Sequence, residues 1–104
     1  MLRETLEELA GLLANCESRV RRRALLMFGE LVARWQRRFA GESISAEIEF
    51  LPDALRLSFH NSERALTPDE WDELVSATVT DLVDAWGVDR RAAGSAWFEF
   101  RYRP

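Results

Sequence analysis

Glu30 and Arg34 stand one helical turn apart, and their types are the first in this chain that could do chemistry together. A positioned carboxylate can act as a general base, whereas a guanidinium donates only and has no acceptor to offer a metal. Farther on, His60 and Asn61 adjoin, an imidazole beside a carboxamide that both donates and accepts. His60 is the only histidine and Cys16 the only cysteine. Neither has a partner nucleophile, acid or metal ligand at a telling spacing. His60 therefore reads as a polar residue at a strand end, and Cys16 as a small core hydrophobe that cannot form an internal disulfide. Glu30 alone cannot run phosphoryl transfer, which depends on a metal and on positioning. Its plainer role is an i,i+4 surface pair with Arg34, worth about 0.3–0.5 kcal/mol.

Charge is distributed more tellingly than it sums. All 14 basic residues are arginine, and the formal net charge is −4. Between Ser18 and Ala40 seven arginines accompany one acid, Glu30; between Pro68 and Trp86 six acids accompany no base. A basic helix and an acidic helix are expected. Arg19, Arg21, Arg22 and Arg23 form the candidate contact surface, suited to an acidic protein partner or to the acidic helix of a second copy. The alternative is a plain solvated helix face. The acidic balance argues against general nucleic-acid binding.

These residues need elements to position them. Leu2, Leu6, Leu9, Leu13, Cys16 and Val20 recur at steps of four and three, a helix stripe with a heptad look. An N-terminal helix over 1–17 is expected, with Leu2, Leu6, Leu9 and Leu13 as a seam to a second copy. Ala24, Phe28, Leu31, Trp35 and Phe39 mark a second helix, flanked by Leu25 and Val32. Ser18 is a candidate N-cap between the two, though Arg19, Arg21, Arg22 and Arg23 then crowd the positive end of the helix dipole. A break or sharp bend is favoured over one continuous helix. Ile44, Ala46, Ile48 and Phe50 alternate with polar residues, as do Leu55, Leu57 and Phe59. Leu51-Pro52-Asp53-Ala54 between them reads as a turn, which makes a hairpin. Thr67-Pro68-Asp69-Glu70 is a capping box with proline in the first turn. The helix it opens would bury Trp71, Leu74, Val75, Val79, Leu82, Val83 and Trp86 and end at Gly87. Phe98, Phe100 and Tyr102 alternate in a closing strand. The expectation is a single α+β domain over 1–104, order α-α-β-β-α-β, with helices on one face of a small antiparallel or mixed sheet. With no apolar run long enough for a membrane and a charged start at Met1-Leu2-Arg3-Glu4, a cytoplasmic location is expected.

Two stretches carry a family resemblance. Gly29-Glu30-Leu31-Val32 resembles the start of the metal-binding helix of GHKL (histidine kinase-like) ATPase domains. Leu82-Val83-Asp84-Ala85-Trp86-Gly87-Val88, then Gly94 and Trp97-Phe98-Glu99-Phe100, is similar to the tail of anti-sigma factor serine kinases. The likeness spans about 20–103, so that 18–104 would be a trimmed GHKL-like core. The resemblance implies a nucleotide site, and the departures fall on that site. The family's metal-holding Asn corresponds to Arg34, whose guanidinium has no acceptor to offer Mg²⁺. The adenine-reading Asp of a glycine-rich turn corresponds to His60 and Asn61. Ala65-Leu66-Thr67-Pro68 occupy the second glycine-rich turn, and no glycine occurs between Gly41 and Gly87 to let a backbone approach phosphates. The segment from Asn61 to Leu66 is too short for a nucleotide lid. Glu30, Arg34, His60 and Asn61 are thus expected to line a vestigial pocket with no catalytic residue, cofactor or metal. The implied function is a non-catalytic protein-interaction module in bacterial signalling. A sigma factor, a STAS-type antagonist or another signalling protein would be its partner. An aberrant but live serine kinase and a structural oligomer subunit are the alternatives.

Overall fold

The computed structural model describes residues 8–89 and 94–102. The two segments of period-two alternation form β1 (Ile44–Phe50) and β2 (Ala54–Asn61), antiparallel, with Ile48 opposite Leu57 and Phe50 opposite Leu55. Leu51 donates its N–H to the Ala54 carbonyl over 2.8 Å and closes the turn. Two further strands, β3 (Ala85–Asp89) and β4 (Ser95–Arg101), complete the sheet. All pairings are antiparallel and the strand order is β1-β2-β4-β3.

The helices are α1 (8–12 of the described residues), α2 (Ser18–Arg38), α3 (Pro68–Leu74) and α4 (Ala77–Leu82). The covered face of the sheet carries Leu55, Leu57 and Phe59 of β2 and Ala96, Phe98 and Phe100 of β4, all buried. On it α2 lays Val20, Ala24, Met27, Phe28, Leu31, Val32 and Trp35. Phe28 stacks on Phe59 with centroids 5.5 Å apart, and Trp35 meets Trp71 of α3 at 6.0 Å. Burying each such side chain stabilises by roughly 1.5–3 kcal/mol, against at most about 1 kcal/mol for an exposed ion pair. The apolar stripe, not the charge pattern, therefore holds α2 in place. The α+β class and the single covered face match the expectation from sequence. No helix among the described residues is long and apolar enough to cross a membrane.

Three local expectations need correction. The stretch from Pro68 to Trp86 is not one helix. It ends at Leu74, restarts at Ala77 with the Ser76 hydroxyl accepting from the Val79 N–H, and passes into β3 at Ala85. Ser76 competes for the backbone as a new N-cap, and β-branched Thr78, Val79, Thr80 and Val83 favour short helix and then strand. Second, the break before α2 is real, but Ser18 is its first helical residue; Glu17 is the N-cap and makes no side-chain capping bond. Third, β1 is an edge strand whose inward face is only partly covered, with Ile44 and Ile48 packed against the core. Its inward-facing Ala46 is exposed and Phe50 is 58% exposed.

Candidate functional site

Successive side chains on a helix point about 100° apart, so the four clustered arginines of α2 fan out instead of forming one patch. Arg21 turns back and donates to the Ala14 carbonyl at 3.3 Å. Arg23 forks onto the Asp84 carboxylate at 3.3 and 3.4 Å and lies 5.9 Å from the Phe100 ring centroid. Arg19 and Arg22 remain exposed. Asp84 also accepts the Arg101 N–H at 2.6 Å. Burial opposes its ionisation, but that N–H and the Arg23 guanidinium outweigh the cost and hold its carboxyl below the usual range. An internal acid thus answers part of the charge crowded at the start of α2.

One face farther round, Arg34 donates to the backbone carbonyl of Glu73 at 2.8 Å, and Arg38 to the Glu73 carboxylate at 3.0 Å. These bonds tie α2 to α3 across an open cleft of about 380 Å³ lined by Arg34, Arg37, Arg38, Glu73 and Leu74. The expected Glu30–Arg34 pair is not made. Glu30 is half-buried, and its side chain forms no hydrogen bond or ion pair among the described residues.

The corner between β2 and α3 is closed by side chains. The buried Asn61 accepts the Glu63 N–H at 2.8 Å through its Oδ1, while its Nδ2 has no partner. Glu63 in turn accepts the Ser43 N–H at 3.0 Å. Arg64 reaches Glu42 at 3.0 Å and forks onto Glu70 at 3.1 and 3.0 Å. Thr67 and Glu70 complete the expected capping box, with bonds of 3.2 and 3.0 Å. Arg64 and the Thr67 N–H pull the Glu70 carboxyl down to about 2. Beneath them, the Trp71 indole N–H donates to the Gly94 carbonyl, and Leu66 is buried against the Gly94 backbone. Gly94 has φ +79, so a side chain there would be strained and would also strike Leu66.

The structure does not bring the four expected pocket residues together. Glu30 and Arg34 lie on α2, and Asn61 is buried at the end of β2. His60 opens on the helix-free face of the sheet, beside Glu47, Ser58, Asp89 and Ser95. That face also carries Trp97, whose ring lies over Gly87 and under the Arg56 guanidinium, 5.1 Å from its centroid. No group of three or more His, Cys, Asp or Glu placed to hold a metal occurs among the described residues. The leucine seam is also changed. Leu9 and Leu13 are 5% and 0% exposed inside the chain's own core, so they offer no surface to a second copy. Leu2 and Leu6 lie outside the described residues. Cys16 is half-buried, and burial raises its thiol pKa, with Arg21 partly offsetting the rise.

Sequence reasoning missed Glu73, Asp84 and Arg64 as the charges that fix α2 and the corner, and nothing in their neighbourhoods along the chain marks them. It also missed Leu26, 55% exposed on the outer face of α2. Its place off the apolar stripe was readable from helical spacing alone. Comparisons with protein-family models, curated proteins and solved structures return no match for this chain.

Proposed function

We propose that this chain is a non-catalytic protein-interaction module of a bacterial regulatory switch, working in the cytoplasm without phosphoryl transfer. The observation that carries the reading is the engagement of Arg34. At the position where the GHKL resemblance implies a metal-holding carboxamide, a guanidinium with no acceptor is tied to the Glu73 carbonyl at 2.8 Å. It acts as a strut between α2 and α3. The Arg64 network supports the same reading, because the corner that would have to open for a nucleotide is bridged to Glu42 and Glu70. A module of this kind acts by surface competition. Its partner would be a sigma factor, a STAS-type antagonist or another signalling protein that presents acids to the arginines of α2.

Calorimetric titration of the full chain with ATP and ADP, with and without Mg²⁺, tests the lost site. No heat and no thermal stabilisation at millimolar nucleotide is the expected result. Micromolar, Mg²⁺-dependent binding would overturn it and restore Glu30 as a candidate base.

A further inference from the structure

The outer face of α2 carries a second stripe, opposite the buried one. Arg19, Arg22, Leu26, Gly29, Ala33 and Arg37 follow one another at steps of three and four, the spacing of one helix face. The side chains of Arg19, Arg22 and Arg37 are exposed and make no hydrogen bond or ion pair among the described residues. Arg19 acts on Asp84 only through its field. Leu26 is 55% exposed, one of three large apolar residues so placed among the described residues, with Leu12 and Phe50. A Cβ built on Gly29 would meet nothing within 4 Å, so the backbone there is open to close approach. The stripe is thus apolar and low at its middle and cationic at both ends. At 1.5 Å per residue it matches a partner helix of roughly five turns.

Building on the interaction-module reading, we infer that this face docks an acidic amphipathic helix of another protein. The partner's apolar residues pack on Leu26 and over Gly29 and Ala33, and its terminal Asp or Glu residues meet Arg22 and Arg37. Charge complementarity selects the occupant. A second copy fits worse: its exposed acids on α3 and α4, among them Asp69, Asp72 and Asp81, have no exposed large apolar residue beside them to receive Leu26. Nucleic acid would satisfy the arginines and leave Leu26 unused.

The test uses the full chain and a labelled helical peptide of about five turns, with a Leu stripe at its centre and Glu at both ends. A Lys-ended version and a scrambled version serve as controls. The Glu-ended peptide should bind, the Lys-ended one should not, and affinity should fall as salt rises. Leu26→Asp and the double change Arg22→Glu with Arg37→Glu should each weaken binding by about tenfold or more. Gly29→Gln removes a helix-weakening glycine that touches nothing, so it should raise the melting temperature yet also weaken peptide binding. A glycine of merely structural consequence would leave the affinity unmoved. Equal binding of all peptides, displacement by heparin with no effect of Leu26→Asp, or Leu26-dependent self-association without peptide binding would each overturn the inference. Mg²⁺–ATP in the same cell separates the two readings. Nucleotide heat with peptide binding intact removes the lost-site reading and upholds the docking face. Neither heat overturns the docking face alone.

Discussion

Arg64 and Arg22 are both exposed arginines of one chain, and their surroundings could hardly differ more. Arg64 is gripped on two sides, by Glu42 and by Glu70, in a corner that also holds the Asn61 turn, the Thr67 capping box and the Leu66–Gly94 contact. Arg22 meets no side-chain partner among the described residues, and beside it Leu26 faces outward on a helix that has already buried its opposite stripe. The corner uses its charges to close a loop, whereas the outer face of α2 leaves its charges to be satisfied by something else. A count of charges would rank the two regions alike. The partners each charge already has are what distinguish a brace from a docking surface.

The sharpest way to break that contrast is at the base of the corner. Trp71 is fully buried and donates to Gly94, so Trp71→Ala should destabilise by about 4 kcal/mol, read by chemical denaturation. Gly94→Ala should cost roughly 2–3 kcal/mol, because φ is +79 and the added Cβ would sit 2.3 Å from the Leu66 oxygen. The charged layer should show through pH. The Glu70 carboxyl is lowered from 4.5 to about 2, so the folded state holds it ionised where the unfolded chain begins to protonate. Its contribution is complete above pH 4.5 and is lost as pH falls toward 2. The melting-temperature gap between the native chain and Glu70→Gln should therefore close over that range. On the other side of the comparison, Leu26→Asp should cost no more than about 1 kcal/mol, because a side chain 55% exposed loses only a partial covering and some helix propensity. A large loss there would mean the outer face is part of the fold.

The hairpin and β4 were legible in the sequence because one covered face forces strict alternation in Leu55, Leu57, Phe59 and in Phe98, Phe100. The buried stripe of α2 was equally plain. The run from Trp71 to Trp86 misled because three elements press on one core. Trp71 and Leu74 of α3, Val79 and Leu82 of α4, and Trp86 of β3 together mimic the spacing of a single helix. Ser76 was the available signal for the break. Gly87 marked a strand, not a helix end: the Trp97 ring lies where a Cβ would go. For the site, the arginine cluster was visible as a run, but its four directions were not. Only the fold shows that Arg23 belongs to Asp84 and Arg21 to the Ala14 carbonyl, and that Arg34 braces α3.

The central claim is that Arg34 braces α2 to α3 where a nucleotide would need a metal ligand, while the outer side of α2 is open to a protein. Amide spectra of the isotopically labelled chain, recorded on adding Mg²⁺–ATP and then the Glu-ended peptide, read both sides at once. The account predicts no shift with nucleotide, followed by shifts along Arg19, Arg22, Leu26, Gly29, Ala33 and Arg37 with peptide. Nucleotide-induced shifts at Glu30, Arg34 and Asn61, with a silent outer face, would contradict it.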